Sequence, residues 1–129
     1  MSNLNSQNTI LIIEDDHELS SLYEQVLQDN GYIVITASDG ESGFDCILDN
    51  KWDLLLLDIM LPKKDGLEIL KELKEYNNWK KGKVLMMTNL NNLDIINTSF
   101  DLGADGYLIK SQTQPDVLLQ EIQTHLALK

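Results

Sequence analysis

The sequence predicts an α/β domain in which a parallel, five-stranded sheet lies between two layers of helices. Short apolar segments alternate five times with segments of helical periodicity, and the connections between them are short. The central apolar segment contains four consecutive leucines at residues 54–57, which is typical of a strand buried on both faces of a parallel sheet. Parallel strands joined in this way need right-handed crossovers, so helices are expected on both faces.

The composition is that of one globular domain. The chain has 129 residues, of which 43% are hydrophobic and 24% are charged, and this length can bury a single substantial core. No linker, repeat or change in composition indicates a second domain. We predict a disordered N-terminal extension at residues 1–8, which are polar, and one domain at residues 9–129.

The charge balance argues against several classes of partner. The net charge is −11, and all 10 basic residues are lysines. We therefore expect neither direct nucleic-acid binding by this domain nor binding to anionic membranes, since both need clustered positive charge. The single cysteine, Cys46, cannot form an internal disulfide, and no apolar segment approaches the roughly 20 residues that cross a bilayer. The start also lacks the pattern of a signal peptide, so we predict a cytoplasmic location.

The elements before the central strand each have a local signal. Residues 9–13 form a short apolar run and residues 32–36 are β-branched and aromatic, so both segments are predicted strands. Between them, apolar residues at helical spacing end at Asn30-Gly31, where glycine can adopt the left-handed conformation that closes a helix. A second helix is predicted from residue 38 or 39 to residue 49.

The elements after the central strand follow the same alternation. Pro62 marks a loop, and Asp65 can cap the helix after it. Gly103 ends the next helix, and Pro115 suits the first turn of the last one. The predicted order is a helix at residues 66–76, a strand at 84–87, a helix at 93–102, a strand at 107–109 and a helix from 115 through 126.

Residues suited to chemistry follow four of the five predicted strands. Glu14 and Asp15 follow the first strand, Asp58 the third, Thr88 the fourth and Lys110 the fifth. Because the carboxyl ends of parallel strands meet at one edge of the sheet, these groups share a crevice if their strands are neighbours. Taken alone, Asp58 is equally consistent with a turn aspartate that binds its own backbone.

Such a crevice suits a hard cation and a phosphoryl group. Carboxylates held close together repel one another unless a proton or cation intervenes, and a few oxygen ligands with open water positions favour Mg²⁺ over Ca²⁺. A lysine and a hydroxyl beside them suit an anion. A carboxylate can attack phosphorus, so Asp58 is a candidate nucleophile that forms an aspartyl-phosphate, with Lys110 and Thr88 holding the transferred group.

Four segments, in this order and at these spacings, resemble the receiver domain of two-component response regulators. They are Ile-Leu-Ile-Ile-Glu-Asp-Asp at residues 10–16, Asp-Leu-Leu-Leu-Leu-Asp-Ile-Met-Leu-Pro-Lys-Lys-Asp-Gly at 53–66, Met-Met-Thr at 86–88 and Gly-Ala-Asp-Gly-Tyr-Leu-Ile-Lys at 103–110. The resemblance covers nearly all of residues 9–128. It implies a flavodoxin-like (βα)5 three-layer sandwich with strand order 2-1-3-4-5, close to the chemotaxis-type receiver.

The resemblance implies a phosphoacceptor and a metal site. Asp58 would accept a phosphoryl group from a sensor histidine kinase or a His-phosphotransfer protein. Mg²⁺, the implied cofactor, would be bound directly by Asp15, mainly through water by Glu14, and also by Asp58 and the backbone carbonyl of Met60. The phosphoryl group would be held by the Met60 N–H, by a hydroxyl and by a lysine.

The resemblance also implies a switch rather than a turnover enzyme. Lys110 would bind the phosphoryl group, while Thr88 and Tyr107 would change position together. The domain would catalyse its own phosphorylation and a slow dephosphorylation, because the flanking Met60 and Leu90 offer no polar side chain to orient water. A shift between two conformations would alter the helix 4–strand 5–helix 5 face, and an output domain or a second copy would bind to that face.

Other interpretations of the same residues stay open. A degenerate receiver that binds partners without phosphorylation is the main alternative function. A phosphohydrolase is disfavoured, because Met60 stands where such an enzyme has a second acid. Asp16 is better explained as a helix N-cap than as a ligand, and the lysines at 80, 81 and 83 as a solvated loop.

Two positions depart from the family pattern. Ser111 stands where a proline, often with a cis peptide bond, is usual, and a cis bond before serine would cost about 2.5–4 kcal/mol. We therefore expect a trans bond and a looser loop after Lys110. Asn89 stands where a small residue is usual, so its side chain can crowd the phosphoryl pocket.

Overall fold

The structure is a computed structural model of the chain, and it describes residues 7–89 and 92–128. The strands are β1 (Thr9–Ile13), β2 (Ile33–Ala37), β3 (Leu54–Asp58), β4 (Lys83–Thr88) and β5 (Gly106–Ile109). The helices are α1 (His17–Asp29), α2 (Gly40–Asp49), α3 (Gly66–Leu73), α4 (Leu93–Asp101) and α5 (Pro115–Ala127). The strands form one parallel sheet in the order β2-β1-β3-β4-β5, which confirms the predicted fold class and strand order.

Part of the predicted N-terminal extension and one residue beside the site lie outside the described residues. These are residues 1–6, most of the segment predicted to be disordered, and Leu90, which was expected to flank the phosphoacceptor. The predicted disorder and the predicted role of Leu90 therefore stay predictions.

The sheet separates two hydrophobic layers, because successive residues of a strand point to opposite faces. One face packs against α1 and α5 through alternate strand residues, which include Ile10, Ile12, Leu54 and Leu56. The other face packs against α2, α3 and α4 through the strand residues that alternate with the first set, which include Leu11, Ile13, Leu55 and Leu57. Every residue of β3 is buried, so the leucine run forms the doubly covered strand that the sequence predicts.

Aspartates at the helix N-termini fix where three helices begin. The side chain of Asp16 accepts a hydrogen bond from the N–H of Leu19 at 3.1 Å, which confirms its prediction as the N-cap of α1. Asp39 caps α2, and Asp65 forms a reciprocal capping box with Glu68 at the start of α3. These caps fix the strand-to-helix turns, and therefore the positions of the residues that follow the strands.

Several element boundaries differ by one to three residues from the sequence prediction, and hydrogen bonds explain two of these differences. β2 begins at Ile33 rather than at Tyr32, because the N–H of Tyr32 donates to the carbonyl of Leu27 and closes α1. α3 ends at Leu73 rather than at residue 76, since the N–H of Tyr76 donates to the carbonyl of Leu73 in a turn. Both differences reflect hydrogen bonds that the apolar pattern does not encode.

The predicted solvated lysine loop has a structural role. Nζ of Lys81 lies 2.6–2.7 Å from three carbonyl oxygens at the C-terminal end of α2, those of Ile47, Leu48 and Asn50. An ammonium group at this position satisfies the last carbonyls of a helix and interacts favourably with its dipole. The loop therefore anchors α2 to the edge of the sheet opposite the candidate site.

The doubly covered strand gives a stability prediction. Leu56→Ala is expected to lower the free energy of unfolding by about 2–5 kcal/mol, because the side chain is fully buried and its removal leaves a cavity. Urea denaturation followed by circular dichroism measures the change. Leu22→Ala, at an exposed leucine of α1, is the control and is expected to cost less than about 1 kcal/mol. Equal losses in the two variants would contradict the burial of β3.

Candidate functional site

Four strands deliver their last or following residue to one edge of the sheet. Asp58 ends β3 and Thr88 ends β4, and these strands are neighbours. Glu14 directly follows β1, and Lys110 directly follows β5. The topology thus brings together, as predicted, residues that are far apart in the sequence.

One ammonium group joins two buried carboxylates. Nζ of Lys110 donates a hydrogen bond of 2.7 Å to Oδ2 of Asp58 and lies 2.7 Å from Oε1 of Glu14. The contact with Glu14 is an ion pair without the alignment of a hydrogen bond. The carboxylate side chains are only 1% (Glu14) and 2% (Asp58) exposed. Because a buried charge is costly unless it is paired, the lysine is what permits two carboxylates here.

Burial controls the protonation of this cluster. Burial, with a smaller contribution from the charge of Asp58, raises the pKa of Glu14 from 4.5 to about 7, although Lys110 and the Asp16 N–H act to lower it. The Asp16 N–H donates to Oε2 of Glu14 at 3.0 Å. Burial acts to lower the pKa of Lys110, but the contacts with Asp58 and Glu14 outweigh it and the pKa is raised. Lys110 therefore stays charged, while Glu14 titrates near neutral pH.

The loop after β3 holds the second oxygen of Asp58. The N–H of Met60 donates to Oδ1 of Asp58 at 3.1 Å, while its side chain is 61% exposed, so Met60 contributes through its backbone. The N–H of Gly66 donates to the carbonyl of Ile59 at 2.8 Å and closes the loop. A Cβ on Gly66 would lie 2.6 Å from the carbonyl oxygen of Asp58, so only glycine lets α3 approach this closely.

The acidic residues are arranged as a possible cation site. Glu14, Asp15 and Asp58 each offer a carboxylate oxygen, and these oxygens lie within 4.8 Å of one another. Glu14 and Asp58 are buried, whereas Asp15 is exposed, so one side of the group is open to water. Oxygen donors with room for water are what Mg²⁺ prefers, because it gives up its hydration shell reluctantly. The residues present therefore fit the predicted cofactor.

The two predicted switch residues differ in their surroundings. Thr88 is completely buried at the end of β4. Tyr107, on the edge strand β5, is 41% exposed, and its ring packs edge-to-face against Phe100 of α4 with the centroids 6.1 Å apart. The aromatic ring thus lies on the outer α4–β5 surface, and Asn89, which follows Thr88, is exposed.

The segment after Lys110 is a short, pinned turn. Residues Lys110–Gln112 form a 3₁₀ turn, and no cis peptide bond occurs in the described part of the chain, as expected with Ser111 in place of proline. The N–H of Thr113 donates to the carbonyl of Lys110 at 3.2 Å, and its hydroxyl donates to the carbonyl of Ile109 at 2.7 Å. These contacts hold the turn without proline.

Sequence reasoning missed one residue next to this turn, Tyr23. In the sequence, Tyr23 stands at one of the apolar positions of the helical pattern that became α1. The side chain is completely buried, and its hydroxyl donates to the carbonyl of Thr113 at 3.0 Å. A buried tyrosine usually needs a hydrogen-bond partner, so the residue type signals a polar contact. The sequence gives no means of finding a partner 90 residues away.

Fold and site together define a class of protein. The chain is a doubly wound α/β domain whose charged cluster lies at the carboxyl edge of its sheet. Its sequence matches the family described as the response regulator receiver domain over residues 10–123. The chain therefore belongs to this family, which confirms the resemblance and supports a role in phosphorylation-based signalling.

The relatives include longer regulatory proteins. The chain is 44% identical over 104 residues to the transcriptional regulatory protein CpxR of Escherichia coli (strain K12), which covers 80% of the chain and 43% of CpxR. It is 37% identical over 114 residues to the transcriptional regulatory protein DltR of Streptococcus agalactiae (serotype III, strain NEM316), with coverage of 88% and 50%. The chain spans about half the length of these curated relatives.

Solved structures of receiver domains superpose over nearly the whole chain. A CheY-like response regulator receiver domain protein from Methanospirillum hungatei JF-1 has a TM-score of 0.83 at 32% identity, over 93% of this chain and 94% of that one. A two-component response regulator from Clostridium difficile has a TM-score of 0.83 at 28% identity, over 93% of this chain and 96% of that one.

Within residues 7–89 and 92–128, no helix is both long enough and apolar enough to cross a membrane.

The raised pKa of Glu14 predicts how stability depends on pH in the absence of metal. A carboxyl group whose pKa is higher in the folded state keeps its proton there while the unfolded chain loses it, so folding is disfavoured as pH rises. Between pH 4.5 and about 7, wild type is expected to lose on the order of 1–3 kcal/mol relative to Glu14→Gln, and no more above that range.

Urea denaturation at several pH values, with a chelator present, measures this difference. Glu18→Gln, at an exposed glutamate of α1, is the control. Its difference from wild type is expected to stay within about 0.5 kcal/mol across the same range. A stability difference for Glu14→Gln that does not change with pH would contradict the raised pKa.

Proposed function

We propose that this domain is a phosphorylation-dependent switch whose phosphoacceptor is Asp58. The observation that carries the proposal is the set of contacts around its carboxylate. Lys110 binds one oxygen at 2.7 Å and the N–H of Met60 binds the other at 3.1 Å, at the edge of a strand buried on both faces. Such donors orient the nucleophile and can stabilise the negative charge of the phosphoryl group that it receives.

The transfer step follows from these contacts. An oxygen of Asp58 forms a bond to phosphorus as the bond from phosphorus to a donor nitrogen breaks, and the electron pair stays on that nitrogen. The donor is a phosphohistidine of a sensor histidine kinase or a His-phosphotransfer protein. Lys110, the Met60 N–H and the Thr88 hydroxyl then hold the oxygens of the phosphoryl group.

Mg²⁺ is the proposed cofactor. Glu14, Asp15, Asp58 and the Met60 carbonyl are the groups that would hold it, with water in the open positions. When bound, it supplies positive charge that offsets the repulsion between the carboxylates and the incoming phosphoryl group. The exposed Asp15 is the ligand that a hydrated ion can reach first.

The switch involves the surface formed by α4, β5 and α5. Phosphorylation draws the Thr88 hydroxyl towards the phosphoryl group, and the Tyr107 ring turns inwards from its exposed position against Phe100. The altered surface then binds a second copy or an output domain. The domain acts as a switch rather than as a turnover enzyme, and it loses its phosphoryl group slowly.

The similarity to CpxR and DltR, both transcriptional regulatory proteins, supports an output in gene regulation. DNA binding would then belong to another domain, because this one carries a net charge of −11. We also propose a cytoplasmic location, where a kinase partner and DNA would both be within reach.

The phosphoacceptor assignment has a direct test. Wild type incubated with a small phosphodonor and Mg²⁺ is expected to gain the mass of one phosphoryl group, measured by intact-protein mass spectrometry. Asp58→Asn is expected to gain none, because the amide is a poor nucleophile. Asp45→Asn, at an exposed aspartate of α2, is the matched control and is expected to react like wild type.

The possible results separate the candidate functions. Labelling of Asp58→Asn at the site would overturn the assignment. A wild type that stays unlabelled while a known receiver reacts in parallel would favour the degenerate receiver that binds partners without phosphorylation.

The metal assignment is tested on two adjacent aspartates. Asp15→Asn is expected to weaken Mg²⁺ binding at least about tenfold, measured by calorimetric titration, because it removes the open carboxylate of the site. Asp16→Asn is the control: Asp16 caps α1, and asparagine caps a helix as well as aspartate does. Equal weakening in the two variants would indicate a general charge effect instead of a ligand at Asp15.

A further inference from the structure

Tyr23 connects α1 to the turn that carries Lys110. Its hydroxyl donates to the carbonyl of Thr113 at 3.0 Å, and the tyrosine side chain is completely buried. Burial raises the pKa of Tyr23, and the charge of Glu14 raises it further, so the hydroxyl keeps its proton and stays a donor. The contact therefore persists across the physiological pH range.

Thr113 is the residue on which the turn closes. It is itself buried, its N–H donates to the carbonyl of Lys110, and its hydroxyl donates to the carbonyl of Ile109. Tyr23 thus holds a residue that bonds to the carbonyls of the two peptides on either side of the Lys110 Cα atom. Since Ser111 imposes no ring constraint on this segment, hydrogen bonds have to fix its conformation.

The position of the turn determines where the ammonium group of Lys110 lies. In the sheet order, β5 is separated from β3 by β4, so Lys110 reaches across the end of β4 to touch Asp58, and further to touch Glu14. The four-carbon side chain has to join a backbone that the turn fixes to an ammonium group that two carboxylates fix. A small displacement of the turn would therefore weaken both ion pairs.

We propose that Tyr23 is a positioning residue for the phosphoryl-binding lysine, acting through its hydrogen bond to Thr113. It touches neither the phosphoacceptor nor the phosphoryl group, and its effect is transmitted by the turn at Lys110–Gln112. Because Tyr23 lies on the helix that begins directly beyond Asp15 and Asp16, it links the acidic side of the site to its basic side. The effect on phosphoryl binding rests on the proposed function, whereas the hydrogen bond from Tyr23 to Thr113 does not depend on it.

The first test measures binding of beryllofluoride, a phosphoryl mimic that binds without transfer, by calorimetry in the presence of Mg²⁺. Tyr23→Phe removes only the hydroxyl and is expected to raise the dissociation constant about three- to tenfold, the effect of one lost hydrogen bond. Tyr76→Phe removes the hydroxyl of a half-exposed tyrosine and is expected to leave the constant unchanged. Binding to Tyr23→Phe as tight as to wild type would overturn the proposal.

A double-mutant cycle separates positioning from a general loss of stability. Lys110→Ala is expected to weaken binding, and Tyr23→Phe is expected to add nothing in that background, because the two changes act through the same ammonium group. An equal further loss in the Lys110→Ala background would mean that Tyr23 only stabilises the fold, and this would refute positioning. Thr113→Val, which removes the other pin of the turn, is expected to weaken binding in the same direction as Tyr23→Phe.

A second measurement does not depend on phosphoryl binding. The amide of Thr113 is hydrogen-bonded to the carbonyl of Lys110, so its hydrogen exchange reports opening of the turn. Exchange is expected to be about three- to tenfold faster in Tyr23→Phe than in wild type, with no change in Tyr76→Phe. Unchanged exchange would refute the proposal. Faster exchange in Tyr23→Phe, together with a wild type that binds no beryllofluoride, would support the role of Tyr23 in holding the turn and would refute the proposed function instead.

Discussion

The ammonium group of Lys110, placed between Asp58 and Glu14, is the interaction on which this site depends. Two carboxylates that are almost fully buried cannot both be charged at this edge of the sheet without a compensating cation. The strand order makes the arrangement possible, because β1, β3, β4 and β5 are consecutive in the sheet and their carboxyl ends meet. Lysine suits the task, since its long side chain crosses the end of β4 and its compact charge contacts both partners.

The site combines a rigid element with adjustable ones. β3 is buried along its whole length, so Asp58 stands at the end of a strand that is packed on both faces. The groups around it come from loops and turns, namely the backbone of Met60 and the 3₁₀ turn at Lys110–Gln112. Local hydrogen bonds hold these segments, and such bonds are more easily exchanged than packed side chains. A fixed nucleophile with adjustable neighbours suits a protein that changes shape when its charge changes.

The sequence was sufficient for the fold and for the placement of the strand-end residues at one edge of the sheet, but not for the contacts around them. Periodicity and strand-end chemistry predicted the parallel sheet and the meeting of Glu14, Asp58, Thr88 and Lys110, because topology alone brings strand ends together. The bond from Tyr23 to Thr113 and the capping of α2 by Lys81 were not predicted. Both contacts join residues that are far apart in the sequence. A tyrosine in an apolar pattern is as commonly a core residue, and a lysine in a polar loop as commonly a solvated one, so neither pattern indicates the contact. The start of β2 was misplaced because a helix-closing hydrogen bond used the N–H of Tyr32.

The negative charge of the site makes protonation of Glu14, metal binding and phosphorylation of Asp58 depend on one another. Without metal, Glu14 and Asp58 share one ammonium group, and burial, together with the charge of Asp58, raises the pKa of Glu14 so that a proton can remove one of the two charges. A divalent cation in the same place would take over that function, so metal binding and Glu14 protonation compete. A phosphoryl group on Asp58 would add charge on the side of Lys110, which then exchanges a carboxylate oxygen for phosphoryl oxygens. The turn that carries the lysine is bonded to Tyr23 on α1, and α1 packs with α5 on the same face of the sheet, so the backbone of Lys110 is tied to this helical layer as well as to β5.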